Sequence, residues 1–188
     1  MKKFFLKKHI KAEDKSGFTL VETLVAISIF SLSVLSVMAF MSQSPVDTRY
    51  AENKMRSAYL AQEGIEYLRN MRDNYILFTS SNSLVWSNFV SKVSSCAAGS
   101  ECGVNVSLAP TDPNSIFLCS SDPNQCKLYV DGGNYNNGGS GVDSGLVRKI
   151  SVQSINQNEM KVFSTVSFNI SGRSYSVTFS EVLFNWTE

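Results

Sequence analysis

A run of 24 mostly apolar residues, Phe18–Met41, constrains this chain more than any other feature, because Glu22 is its only charged residue. At the helical rise of about 1.5 Å per residue, a run of this length spans the hydrocarbon core of a bilayer. A lone ionised side chain costs roughly 2.5–3.5 kcal/mol at mid-bilayer, so it marks a functional position by default. We therefore predict a transmembrane helix in which Glu22 has a specific role.

Charge is unevenly distributed on the two sides of this run. Residues 1–17 contain six lysines and two acidic residues, a net charge of +4, whereas the rest of the 188-residue chain has 11 basic and 14 acidic residues, a net charge of −3. A basic flank beside an apolar helix is typical of the cytoplasmic side of a membrane protein. The mildly acidic remainder lacks the basic surface that nucleic-acid binding requires, so we expect no nucleic-acid partner.

Two ordinary interpretations of the apolar run fit it less well. A secretory signal peptide has an apolar region of about 7–15 residues and ends at a small-residue cleavage site, whereas this run is longer and lacks such a site. A plain membrane anchor explains the length and the basic flank but leaves Glu22 without a purpose.

The junction between the basic leader and the apolar run has the sequence GFTLVETLVAI at residues 17–27. It resembles the class III signal of the type IV filament superfamily, which comprises type IV pilins and the pseudopilins of type II secretion and competence. The resemblance implies that a prepilin peptidase cuts between Gly17 and Phe18 and methylates Phe18. It also implies that Glu22 serves in assembly, by pairing with the new N-terminal amine of a neighbouring subunit.

The resemblance implies an α+β pilin ladle fold, a long N-terminal α-helix packed on a C-terminal antiparallel β-sheet. The residues agree with it. From residue 46 to about 75, apolar side chains recur every three or four positions, which predicts an amphipathic helix facing a sheet. The segment LAQEGIEYLRNMRD at residues 60–73 is similar to the helix of V-type minor pilins. The predicted regions are a cleaved leader (1–17), a membrane and assembly helix (18–41), a soluble helix half (42–77) and a head (78–188).

Within the head, residues 78–145 are predicted to form a loop-rich region and residues 146–186 an antiparallel sheet. Val85–Val93 is a short helix or strand, and Gly103–Leu108 and Lys127–Val130 are candidate strands. The glycine- and asparagine-rich residues 131–141 are predicted to be a loop. Three alternating runs joined by short turns predict a meander; they are Leu146–Ile155, Met160–Ile170 and Ser174–Phe184.

Four cysteines follow the apolar run: Cys96, Cys102, Cys119 and Cys126. An even number in an exported domain predicts disulfides, and neither close pair has the spacing of a zinc knuckle. Four cysteines allow three pairings. The short spacings favour Cys96–Cys102 with Cys119–Cys126 and leave the other two open.

The exported part has no histidine, and its cysteines are expected to be oxidised, so no catalytic set can be assembled and we predict no enzymatic activity. No cofactor or metal is expected. Oxygens of Asp131, Asn134 and Asn136 offer Ca²⁺ ligands in principle, but the EF-hand spacing is absent. The charged helix residues Glu63, Glu66, Arg69 and Arg72 are interpreted as a solvated or subunit-facing surface rather than a binding patch.

The resemblance thus implies a minor-pilin-like structural subunit. The partners that it implies are other subunits, the prepilin peptidase, an inner-membrane assembly platform and, before assembly, lipid. It is predicted to cross the cytoplasmic membrane once, with its head outside, and then to enter a surface or periplasmic filament. A secretion or competence pseudopilin, and a membrane-anchored adhesin or DNA receptor, are the alternatives.

Overall fold

The computed structural model of the chain describes residues 17–78, 85–119 and 124–185. The predicted leader, apart from Gly17, and the predicted end of the sheet at residue 186 lie outside these ranges. The chain divides into two compact units, Met1–Pro45 and Val46–Glu188, and the boundary falls within a helix.

The described residues contain two α-helices and seven strands. The long helix, α1, spans Leu20–Phe78, and the short helix, α2, spans Val85–Val93. The strands are β1 (Cys102–Val104), β2 (Ile116–Leu118), β3 (Lys127–Asp131), β4 (Asn134–Asn136), β5 (Val142–Asn156), β6 (Glu159–Ile170) and β7 (Arg173–Phe184).

In the first unit, the helical residues begin at Leu20 and continue through Pro45. Proline lacks an amide hydrogen and removes one backbone bond from a helix interior. The division between the two units lies directly after this residue.

In the second unit, α1 packs on the sheet through the predicted apolar stripe. Ala61, Ile65, Leu68 and Met71 are all buried, as their three- and four-residue spacing predicts. Gly64 lies in the same stripe, and a Cβ atom there would come 2.5 Å from the Ser164 hydroxyl of β6. Close approach of the helix to the sheet therefore depends on glycine at this position.

The sheet is antiparallel throughout and centres on the long strand β5. One edge of β5 pairs with β6, which pairs with β7, and the other edge pairs with both β3 and β1. Strand β4 extends the sheet from β3, and β2 extends it from β1. The predicted meander and the α+β fold class are confirmed.

Four short strands lie within residues 102–136, of which β1 and β3 overlap the predicted candidate strands and β2 and β4 were not predicted. The prediction that residues 131–141 form only a loop is wrong. Gly132 and Gly133, at φ +57° and +87°, make a tight turn that returns the chain as β4. The predicted strand over Gly103–Leu108 ends at Val104, because the Asn105 side chain accepts a hydrogen bond from the Ser107 amide and turns the chain.

Candidate functional site

The N-terminal end of α1 is held by a side-chain cap. The Thr19 hydroxyl accepts a hydrogen bond from the Glu22 amide at 3.2 Å, and the Thr19 carbonyl accepts one from Thr23 at 3.2 Å. Thr19 and Glu22 have the spacing of a capping box, and a carboxylate in the first turn is favoured by the helix dipole. Glu22 thus fits the helix start locally, a role that the sequence analysis missed.

The predicted processing residues lie just before this cap. Gly17, Phe18 and Thr19 are not helical, and Phe18 is 75 % exposed. A Cβ atom on Gly17 would meet nothing within 4 Å. Packing among the described residues therefore gives no reason for glycine at position 17.

The apolar surface of the first unit is exposed on every side. Among the described residues, one helix is long and apolar enough to cross a membrane. Its most apolar stretch of 18 residues has a mean hydropathy of 2.4, and no part of that stretch is buried. A helix that is apolar all round requires an apolar environment. The apolar side chains of Leu20–Met41 therefore need covering by something outside this unit.

Most hydroxyl groups in this segment are satisfied within the helix itself. Five donate to backbone carbonyls three or four residues earlier at 2.8–2.9 Å: Thr23, Ser28, Ser33, Ser36 and Ser42. A polar group left unpaired in hydrocarbon costs several kcal/mol, and this pattern avoids that cost. The segment suits a lipid environment in its polar as well as its apolar groups.

The charged residues of the soluble helix half are tied into the head. Arg69 bonds Glu181 of β7 at 2.6 and 3.2 Å and Glu66 at 2.6 and 2.7 Å. The hydrogen bond that Arg69 donates to Glu181, followed by the charges of Glu181 and Glu66, raises the pKa of Arg69. Arg72 pairs with Asp73 at 2.8 Å. Part of the predicted charged surface therefore bonds α1 to the sheet.

A buried arginine on β5 is the largest feature that the sequence analysis missed. The Arg148 side chain is fully buried and bonds Glu63 at 2.5 Å, the Leu60 carbonyl at 3.3 Å and the Val104 carbonyl at 3.1 Å. Burial lowers the pKa of Arg148, and Glu63 opposes that shift. Strand alternation contained a signal, because position 148 falls on the same face as the buried Leu146 and Ile150.

The four cysteines form two disulfides, Cys96–Cys102 and Cys119–Cys126, with Cα separations of 5.2 and 5.5 Å. The first links the 3₁₀ turn after α2 to β1, and the second closes the connection from β2 to β3. Both disulfides therefore stabilise the region that the sequence describes as loop-rich.

Among the three loop residues whose oxygens could in principle bind Ca²⁺, Asn136 bonds within the loop. The Asn136 side chain accepts a hydrogen bond from the Gly138 amide at 3.0 Å and donates one to the Ser140 carbonyl at 3.2 Å. Asp131 and Asn134 face one another across the β3–β4 turn. Over the described ranges, the structure has no group of three His, Cys, Asp or Glu side chains placed to hold a metal ion.

Most basic side chains after the leader already have partners. Seven of the 11 basic residues after the leader bond acids or carbonyls: Arg56, Arg69, Arg72, Lys92, Lys127, Arg148 and Lys149. Lys54 and Lys161 lie over aromatic rings, at 5.6 and 5.1 Å from the centroids of Tyr50 and Phe163. This distribution does not form the unpaired basic stripe that nucleic-acid binding uses.

Comparison with known families identifies the N-terminal segment. Residues 14–38 match the family described as the prokaryotic N-terminal methylation motif. This is the class III prepilin signal, so that prediction is confirmed, and the match is consistent with the type IV pilin and pseudopilin superfamily. Comparisons with curated proteins and with solved structures give no match. The motif and the apolar helix suggest membrane anchoring and assembly with other pilin subunits.

Proposed function

We propose that this chain is a structural, minor-pilin-like subunit of a type IV filament. In this proposal, a prepilin peptidase cuts between Gly17 and Phe18 and methylates Phe18. The subunit then leaves the membrane through an assembly platform and joins a bundle of like helices, with its head at the filament surface. The observation that carries the proposal is the methylation motif at residues 14–38, whose residues from Leu20 on lie on a helix with an apolar surface exposed all round.

Three local features support processing at this junction. The residues around the proposed cut are exposed and non-helical, and Gly17 has no packing role among the described residues. The apolar helix starts within three residues of Gly17. Recognition by an enzyme would account for a glycine that the fold does not require.

Electrostatics give Glu22 its proposed assembly role. Cleavage would create an α-amine on Phe18, four residues before Glu22. In an apolar bundle, an unpaired carboxylate or ammonium is costly, and pairing between neighbouring subunits removes both costs at once. The pair would also fix the axial stagger between subunits.

We propose no catalytic activity for the chain. The sequence has one histidine, His9, which belongs to the leader, and all four cysteines are bonded in pairs. A secretion or competence pseudopilin shares the same signal and remains the alternative within the superfamily. A membrane-anchored adhesin or DNA receptor is the alternative of another class, and the paired basic residues of the head disfavour the DNA receptor.

Intact-mass measurement tests processing directly. In a host with prepilin peptidase, the membrane form should lack Met1–Gly17 and carry one methyl group on Phe18. A peptidase-deficient host is the control and should yield the full chain. An unprocessed N-terminus in the competent host would contradict the proposal.

A pair of variants separates the assembly role of Glu22 from its local role at the cap. Glu22→Gln keeps a capping-box side chain but removes the charge, whereas Thr19→Ala removes the cap acceptor and keeps the carboxylate. Both should insert and be cut. We expect Glu22→Gln to lose incorporation into sheared filaments and Thr19→Ala to retain most of it, and the reverse result would reduce Glu22 to a helix-start residue.

A further inference from the structure

A shallow cleft in the head has an unusual chemical composition. It lies where the loop after β1 meets β2 and the segment leading into β3, and it has a volume of about 330 Å³. We call it the amide cleft, because four of its lining residues carry side-chain amides: Asn105, Asn114, Gln125 and Asn137. None of the described residues that line it is charged.

The four amides retain hydrogen-bonding capacity. The Asn114 and Gln125 side chains are exposed and bond no other residue in the described part of the chain. Asn105 uses its oxygen on the Ser107 amide at 3.1 Å, which leaves its NH₂ group. Asn137 donates to the Lys127 carbonyl at 3.1 Å, and its buried oxygen has no partner among the described residues. The exposed Asn114 and Gln125 amides and the NH₂ group of Asn105 offer donors and acceptors around one opening.

An aromatic ring forms one wall of the amide cleft. Phe117 of β2 pairs with Gly103 of β1, and its ring lies across the glycine. A Cβ atom on Gly103 would come within 2.3 and 2.4 Å of two ring carbons and 3.0 Å of the Cys126 sulfur. The position of this ring therefore requires glycine beneath it, and the Leu108 side chain adds further apolar lining.

The loop that carries two of the amides is held from several directions. Tyr67 of α1 donates to the Leu108 carbonyl at 2.9 Å, and Lys92 of α2 donates to the Asp112 and Pro113 carbonyls at 2.7 and 2.9 Å. The Asp112 carboxylate accepts a hydrogen bond from the backbone N–H of Asn114 at 2.7 Å. A cleft fixed in this way loses little conformational freedom when it binds a ligand.

We propose that the amide cleft binds a neutral saccharide. Side-chain amides donate to and accept from adjacent hydroxyl groups, and an aromatic wall suits the apolar face of a sugar ring. The absence of charge among the described lining residues favours an uncharged ligand over a sialylated or sulfated one. This proposal does not depend on the filament role.

Two other assignments are less well supported. An extended peptide also uses amides, but it gains affinity by adding to a sheet edge, and β2 is three residues long. A larger groove of about 520 Å³ lies beside Lys149 and Glu101, but these charges pair with each other at 2.5 Å and none of the described residues that line it is aromatic.

Glycan-array binding tests the proposal on the full-length chain in lipid nanodiscs, prepared without glycoside detergents that would compete. The probes are immobilised neutral hexose and N-acetylhexosamine oligosaccharides, their sialylated and sulfated counterparts, and a panel of heptapeptides. We expect binding to a subset of the neutral oligosaccharides. Binding confined to acidic glycans or to peptides, or to no probe at millimolar concentrations, would overturn the assignment.

Matched variants locate the binding. Phe117→Ala should weaken it by about tenfold or more, and Asn114→Ala and Gln125→Ala by about three- to tenfold each. Phe184→Ala and Asn169→Ala replace exposed residues of the same types outside the cleft and should leave binding unchanged. Because Asn114 and Gln125 are exposed, their variants test the cleft even if Phe117→Ala fails to fold. Equal effects of cleft and control variants would contradict the site.

Discussion

The two halves of α1 are both helical and both rich in apolar residues, yet their side chains have opposite environments. In the second half, the apolar positions from Leu60 to Met71 form a stripe that the sheet buries, whereas in Leu20–Pro45 the large apolar residues are exposed on all sides. The first pattern describes a helix whose partner is in the same chain. The second describes a helix whose partner must come from outside, either lipid or other helices.

Matched leucine substitutions would test this difference most strongly. Leu68 is fully buried, and Leu32 is 69 % exposed. Leu68→Ala should destabilise the head by about 2–5 kcal/mol, because it removes buried apolar contact and leaves a cavity. Leu32→Ala should change head stability by less than about 0.5 kcal/mol. Denaturant unfolding of the full chain in detergent measures both, and a large effect of Leu32→Ala would break the comparison.

Two glutamates of the soluble helix half, Glu63 and Glu66, each pair with an arginine. Removing the glutamate whose arginine is buried should cost more unfolding free energy than removing the other. Glu63→Ala leaves Arg148 buried without a carboxylate, and we expect a loss of roughly 2–3 kcal/mol, below that of a fully buried pair because Glu63 is half exposed. Glu66→Ala affects a solvent-accessible pair in which Arg69 keeps Glu181, so we expect about 0–1 kcal/mol. The same unfolding measurement compares them, and equal losses would show that burial of Arg148 does not matter.

The smallest expected effect concerns acid sensitivity of the head. The Gly145 amide, together with Lys127 at 3.3 Å, lowers the pKa of Asp143. A lowered folded-state pKa contributes stability above the usual carboxyl range, and this contribution is lost as pH falls through the folded-state value. Asp143→Asn keeps the acceptor for Gly145 and should flatten the decline below about pH 4, by less than about 1 kcal/mol.

Unfolding measured across that acid range, with Asp131→Asn as the control for an exposed carboxylate, checks this expectation. An unchanged decline in Asp143→Asn would remove the proposed contribution of the ion pair. Between Phe18 and Pro45 the first unit has Glu22 as its only carboxylate side chain, so we expect acid effects on unfolding to come largely from the second unit.

Features that rest on periodicity or on a contiguous motif were predictable from the sequence. The methylation motif, the buried stripe around Leu68 and the three-strand meander are local patterns, and each is confirmed. The role of Arg148 was not predictable, since its partner Glu63 lies 85 residues away in the sequence. Strand β4 is polar and three residues long, so it has too little alternation to be recognised.

The same reasoning explains why the amide cleft could not be predicted. Its amides are separated by as many as 32 positions in the sequence, and asparagine is common in turns for reasons unrelated to ligands. Only the folded head brings them around one aromatic ring.

The cap at Thr19 also determines which peptide bonds remain unwound. A peptidase binds its substrate with the backbone extended, because the groups on both sides of the scissile bond must be free to pair with the enzyme. The cap starts the helix at Leu20 and leaves Gly17 and Phe18 outside it. If the helix extended one turn further toward the N-terminus, the bond between them would be sequestered in helical hydrogen bonds. The Thr19 hydroxyl thus marks where the helix begins relative to the bond that we propose is cut.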